Sequence, residues 1–101
     1  MTPATTEEKK DVRPTLLIVD DAPANVQILA LMFQRLYQVK IATSGEKCIE
    51  IANAQPQPNL ILLDVMMPGM DGFETCKKLK SDNATTSIPI IFVTGLHDDQ
   101  E

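Results

Sequence analysis

Residues 60–72 read Leu-Ile-Leu-Leu-Asp-Val-Met-Met-Pro-Gly-Met-Asp-Gly. Leu60–Leu63 is a short, continuously apolar run closed by the carboxylate of Asp64, the pattern of a strand buried on both faces. Val65–Asp71 reads as a loop. Asp71 is placed to cap a helix from about Gly72 to Ser81, with Phe73, Cys76 and Leu79 inward. The same unit recurs on either side. Thr15–Val19 is a buried strand ended by Asp20-Asp21, and Pro23 suits the first turn of the helix that follows. Val26, Leu29, Phe33 and Leu36, with Ile28 and Met32 beside them, recur at helical spacing. Gln38–Ala42 alternates and is a less buried edge strand. Thr43-Ser44-Gly45 turns and caps a second helix, whose apolar face is Cys48, Ile49, Ile51 and Ala52 and which the stretch from Gln55 to Asn59 breaks. Downstream, Asp82–Ser87 is a polar loop and Ile88–Val93 a fourth strand, with Pro89 tolerated near its start and Thr94-Gly95 at its end. Strands alternating with helices predict an α/β fold with a parallel sheet and right-handed crossovers. Residues 1–14 carry charge, Thr and Pro without apolar periodicity and read as a flexible leader, leaving 15–101 as one domain.

Composition narrows the function. The chain has 101 residues, enough for one small domain. With 9 basic against 14 acidic residues its net charge is −5, which disfavours direct nucleic-acid binding. Lys77, Lys78 and Lys80 form the only basic cluster and read as a solvated helix face. Cys48 and Cys76 are too few for a disulfide framework or a zinc site and read as reduced thiols of a cytoplasmic protein. His97 has no companion at metal-ligand spacing. No apolar run has the length of a membrane span, and the N-terminus lacks the apolar stretch of a secretion signal.

The polar groups at the strand ends carry the chemistry. In an open parallel sheet, ligands bind at the carboxyl ends of the strands. There Asp20, Asp21 and Asp64 would converge, with Thr94 nearby. Three carboxylates in one place repel one another and call for a cation. All-oxygen donors suit Mg²⁺ or Ca²⁺ rather than zinc or copper. Taken singly, each residue has a plainer reading: Asp20-Asp21 as a polar strand end, Asp64 as a loop carboxylate, Thr94 as a strand terminus. Gly69 and Gly72 read as turn glycines.

Taken together, Leu17-Ile18-Val19-Asp20-Asp21, Leu62 through Gly72, and Pro89 through Gly95 resemble the receiver domain of two-component response regulators. The resemblance covers residues 15 to 101 and implies a doubly wound, flavodoxin-like sheet of order 2-1-3-4 with the fifth strand absent. It implies that Asp64 accepts a phosphoryl group from a histidine kinase or phosphotransfer protein. Asp20 and Asp21 would hold Mg²⁺ together with Asp64 and the backbone carbonyl of Met66. The Thr94 hydroxyl would bond a phosphoryl oxygen and act as the switch. Such a domain is a signalling module that catalyses only its own phosphorylation and dephosphorylation. The family also carries a fifth strand ending in a Lys, then a fifth helix; here no Lys follows Thr94. The expectation is a fragment of a longer regulator, or a degenerate receiver, with self-association through the exposed edge of the fourth strand. Two alternatives stand beside the phosphoacceptor: a phosphate-independent interaction or dimerisation module, and a Mg²⁺-dependent aspartyl-phosphate phosphatase. The latter would usually place a second Asp where Met66 stands.

Overall fold

The computed structural model describes residues 11–93. Its elements are β1 (Thr15–Val19), α1 (Pro23–Phe33), β2 (Gln38–Ala42), α2 (Gly45–Asn53), β3 (Leu60–Asp64), α3 (Gly72–Lys80) and β4 (Ile90–Val93). The four strands form one parallel sheet of order β2-β1-β3-β4. This is the order expected for a doubly wound receiver-type sheet.

β1 is central, which explains its unbroken apolar sequence: all five residues are buried. Alternate residues point to opposite faces. Leu17 and Val19 join Ile61 and Leu63 under α2 and α3, packing on Cys48, Ala52 and Leu79. Leu16 and Ile18 join Leu62 under α1, against Leu29. Each such side chain contributes about 1.5–3 kcal/mol by leaving water. β2, at one edge, is half-buried along most of its length, as its alternation predicts.

The caps fix the helix starts. Ser44 accepts a hydrogen bond from the Lys47 N–H at the head of α2. Asp71 and Glu74 form a reciprocal capping box at the head of α3. α1 has no side-chain cap; Pro23 occupies its first turn, where no N–H is needed.

Several expectations need correction. β4 begins at Ile90 rather than Ile88. Pro89 has no N–H for the ladder, and only its carbonyl joins the sheet, accepting from the Ile61 N–H at 3.0 Å. Ile88 is nonetheless buried. α1 stops at Phe33, so Leu36 lies beyond it and is exposed, as are Ile28 and Met32. Phe73 points outward and is 60% exposed; the inward residues of α3 are Thr75 and Leu79, with Cys76 half-buried. The loop after α3 is not wholly polar in behaviour: Thr85 is fully buried and its hydroxyl donates to the Leu79 carbonyl at 2.6 Å. Lys80 is tied down as well, donating to the carbonyls of Thr86 and Ile88.

Of the stretch read as a leader, residues 11–14 are described. Arg13 pairs with Asp11 at 2.6 Å and donates to the Gln34 carbonyl at the end of α1. No helix among the described residues is long and apolar enough to cross a membrane.

Candidate functional site

All four strands run the same way, so their carboxyl ends share one edge of the sheet. β1 delivers Asp20 and Asp21 there, and β3 delivers Asp64. One carboxylate oxygen from each of the three lies within 4.8 Å of the others. Asp20 and Asp64 are buried, at 2% and 1% exposure, while Asp21 is exposed. The site is therefore a buried acidic floor with one carboxylate at the water boundary.

The buried members are held by local hydrogen bonds. Asp20 accepts from the Ala22 N–H at 2.9 Å and from the Asn25 amide at 3.2 Å, while its own N–H donates to Ala42 on β2. Asp64 accepts from the Met66 N–H at 3.2 Å. These donors fix the direction of the two carboxylates. Asn25 was not anticipated as a site residue. Its signal in the sequence is faint: an amide in the first turn of the helix that follows a strand-end Asp.

The loop from Val65 to Asp71 is shaped by two glycines with different tasks. Gly69 has φ +73°, the left-handed region where a turn favours glycine. Gly72 is not a turn glycine, contrary to expectation. A Cβ there would strike the Asp64 carbonyl oxygen and lie 2.8 Å from Val65 Cα. Its N–H donates to the Val65 carbonyl at 3.0 Å. Gly72 thus lets the head of α3 press directly on the backbone of Asp64.

The donor set fits a hard divalent cation: three carboxylates within reach of one another, two of them buried where unneutralised charge is costly. Met66 lies beside the cluster with its side chain exposed. Thr94 falls outside the described residues. The structure thus brings Asp20, Asp21 and Asp64 together, with the Met66 N–H bonded to Asp64.

Comparison with known proteins identifies the family. The family model of the response regulator receiver domain matches residues 16–101. The chain is 48% identical over 82 residues to "Response regulator PleD" of Caulobacter vibrioides, covering 80% of this chain and 18% of that protein. It is 42% identical over 81 residues to a "Probable cyclic di-GMP phosphodiesterase" of Vibrio cholerae, again spanning 18% of it. The chain therefore spans about a fifth of the length of these curated relatives. Among solved structures, the N-terminal domain of a response regulator receiver protein from Methanoculleus marisnigri JR1 superposes with a TM-score of 0.77 at 46% identity, over 80% of this chain and 66% of that one. A signal receiver domain of a histidine kinase from Syntrophus aciditrophicus gives 0.74 at 32% identity, over 84% and 64%.

Proposed function

This chain belongs to the response regulator receiver domain family, and from that premise we propose that it is phosphorylated on Asp64 with Mg²⁺ held by Asp20, Asp21 and Asp64. The observation that supports this best is the convergence of those three carboxylates within 4.8 Å at the strand ends.

An Asp64 carboxylate oxygen attacks the phosphorus of the donor. A new O–P bond forms, and the bond from phosphorus to the donor's histidine nitrogen breaks, its electron pair leaving with the imidazole. The carboxylate attacks as the anion, so no general base is needed, and positioning and electrostatics supply the catalysis. Asp20 and Asp21, with the Met66 carbonyl, would complete the oxygen ligands of the cation. The bound cation supplies the positive charge that lets a carboxylate and a phosphoryl group approach. The Thr94 hydroxyl, which follows β4, would bond a phosphoryl oxygen of the product and report its presence. The physiological donor is a histidine kinase or phosphotransfer protein, and the exposed apolar residues Ile28 and Met32 on α1 offer it a surface.

Intact mass after incubation with acetyl phosphate tests the proposal. It predicts one phosphate adduct that disappears with a chelator and in Asp64→Ala. Stable absence of any adduct, in a folded chain that binds Mg²⁺, overturns it and favours the phosphate-independent interaction module.

A further inference from the structure

Two aromatic contacts occur among the described residues, and they sit in different settings. Phe33 and Tyr37 meet edge-on at 6.0 Å on the α1 side, both packed against the cluster of Leu16, Ile18, Leu29 and Leu62. They belong to the body of the fold. Phe73 and Phe92 meet at 5.1 Å with planes 55° apart, yet they are 60% and 39% exposed. This second pair links the helix that follows the Asp64 loop to the outer end of β4.

Its placement is specific. Phe73 directly follows Gly72, the glycine pressed against the Asp64 backbone. Phe73 lines an open, mostly apolar pocket of about 430 Å³ with Val65, Met66, Met67, Pro68 and Asp71, the loop that leaves Asp64. Phe92 pairs with Leu63 in the sheet, and the next residue, Val93, pairs with Asp64 itself. The ring contact therefore joins the head of α3 to the end of β4 across the mouth of β3. The other two sides of that triangle are backbone: Gly72 donates to Val65 between α3 and β3, and the ladder joins β3 to β4.

We propose that Phe73 and Phe92 form a strut fixing the end of β4 against the Asp64 loop, and that both are positioning residues for phosphoryl transfer at Asp64. The second half of this statement rests on the phosphoacceptor reading. Displacement of a reacting group by about 1 Å costs up to about a hundredfold in rate, so bracing the two segments bears directly on the chemistry. The ring geometry is the relevant property, because tilted rings at this separation attract beyond their area. Phe→Leu keeps the apolar contact and removes the ring pair, whereas Phe→Tyr keeps both.

The test compares the wild-type protein, Phe73→Leu, Phe92→Leu, the double variant and Phe73→Tyr. Amide hydrogen exchange at Met66 and Val93 is read without phosphate, and the initial rate of adduct formation is read with acetyl phosphate and Mg²⁺. Each Leu variant is expected to exchange faster at Met66 and Val93 while β1 amides keep their protection. Each should form the adduct about three- to tenfold more slowly, the double variant should be no slower than the slower single one, and Phe73→Tyr should restore both readouts. Unchanged exchange in the Leu variants, or multiplicative effects in the double variant, overturns the strut. A wild-type protein that takes no phosphate refutes the phosphoacceptor reading and the positioning role with it, while exchange alone still decides whether the strut exists.

Discussion

Replacing Gly72 by Ala puts a methyl group where the backbone of Asp64 and Val65 already stands. The added Cβ would sit 2.8 Å from Val65 Cα and 3.0 Å from the Asp64 carbonyl carbon, with the carbonyl oxygen nearer still. Ordinary carbon–carbon contact lies at about 3.5–4.0 Å, so α3 and the β3 end must part by roughly half an ångström or more. The obstructing atoms are main chain and cannot rotate aside. Overpacking of this kind costs about 1–3 kcal/mol, and the entropy lost from the unfolded glycine returns about 0.4–1 kcal/mol. A net loss of about 1–2 kcal/mol lowers the melting temperature by roughly 4–16 °C in a domain of this size. The same displacement moves Asp64, so adduct formation with acetyl phosphate should slow as well. Gly69→Ala is the contrast: an added Cβ there meets nothing within 4 Å, but φ is +73°. It should cost about 1–2 kcal/mol of backbone strain and leave adduct formation near the wild-type rate. Thermal melting and intact-mass kinetics on the two variants decide the matter. A Gly72→Ala protein that melts at or above wild type and accepts phosphate at the same rate would refute this account of α3 packing.

Three further outcomes follow from the site and core. Asp64→Asn removes one of three charges whose oxygens lie within 4.8 Å of one another; with an effective dielectric near 20 each repulsion is about 3 kcal/mol, and solvent at Asp21 reduces the net gain. The variant should be about 1–3 kcal/mol more stable than wild type in chelator by urea unfolding, and should lose the stabilisation that Mg²⁺ gives the wild type; lower stability in chelator would contradict the repulsion. Asn25→Ala removes the amide that holds Asp20 at 3.2 Å, and should weaken Mg²⁺ binding about tenfold by calorimetry, with unchanged affinity as the contrary result. Burial pushes the Cys48 thiol up to about 12, against 9.0 for an unburied thiol, with the nearby Cys76 adding to the effect. Below pH 9 both folded and unfolded chains keep that proton; between 9 and 12 the unfolded chain alone releases it, so stability falls as pH rises through that window. Cys48→Ala should flatten that fall in denaturant titrations, and an equally steep fall in the variant would count against it.

The features legible in the sequence are those set by local pattern and by direction of chain. β1 and β3 are continuous apolar runs because both their faces are covered, and parallel strands necessarily gather Asp20, Asp21 and Asp64 at one edge. Asp71 announces itself as a cap by preceding a helix with Glu74 three residues on. What escaped depends on how elements are rotated against one another. Helical spacing places Phe73, Cys76 and Leu79 on similar faces, but the close seat of Gly72 on Asp64 fixes the roll of α3 and turns Thr75 inward and Phe73 outward. Gly72 itself looks like a turn glycine until the approach of two backbones is seen. Thr85 reads as loop, because nothing local reveals that the Leu79 carbonyl lies within reach of its hydroxyl. Asn25 is an ordinary helix-start residue by composition, and only the geometry shows that its amide meets Asp20.

Localising the phosphoryl group tests the central claim most directly. The wild-type protein is phosphorylated with acetyl phosphate and Mg²⁺, reduced with borohydride to convert an acyl phosphate to the alcohol, digested, and mapped by tandem mass spectrometry. The account predicts homoserine in place of Asp64, with Asp20 and Asp21 unmodified. Homoserine at Asp20, Asp21 or another carboxylate, with Asp64 intact, would contradict it.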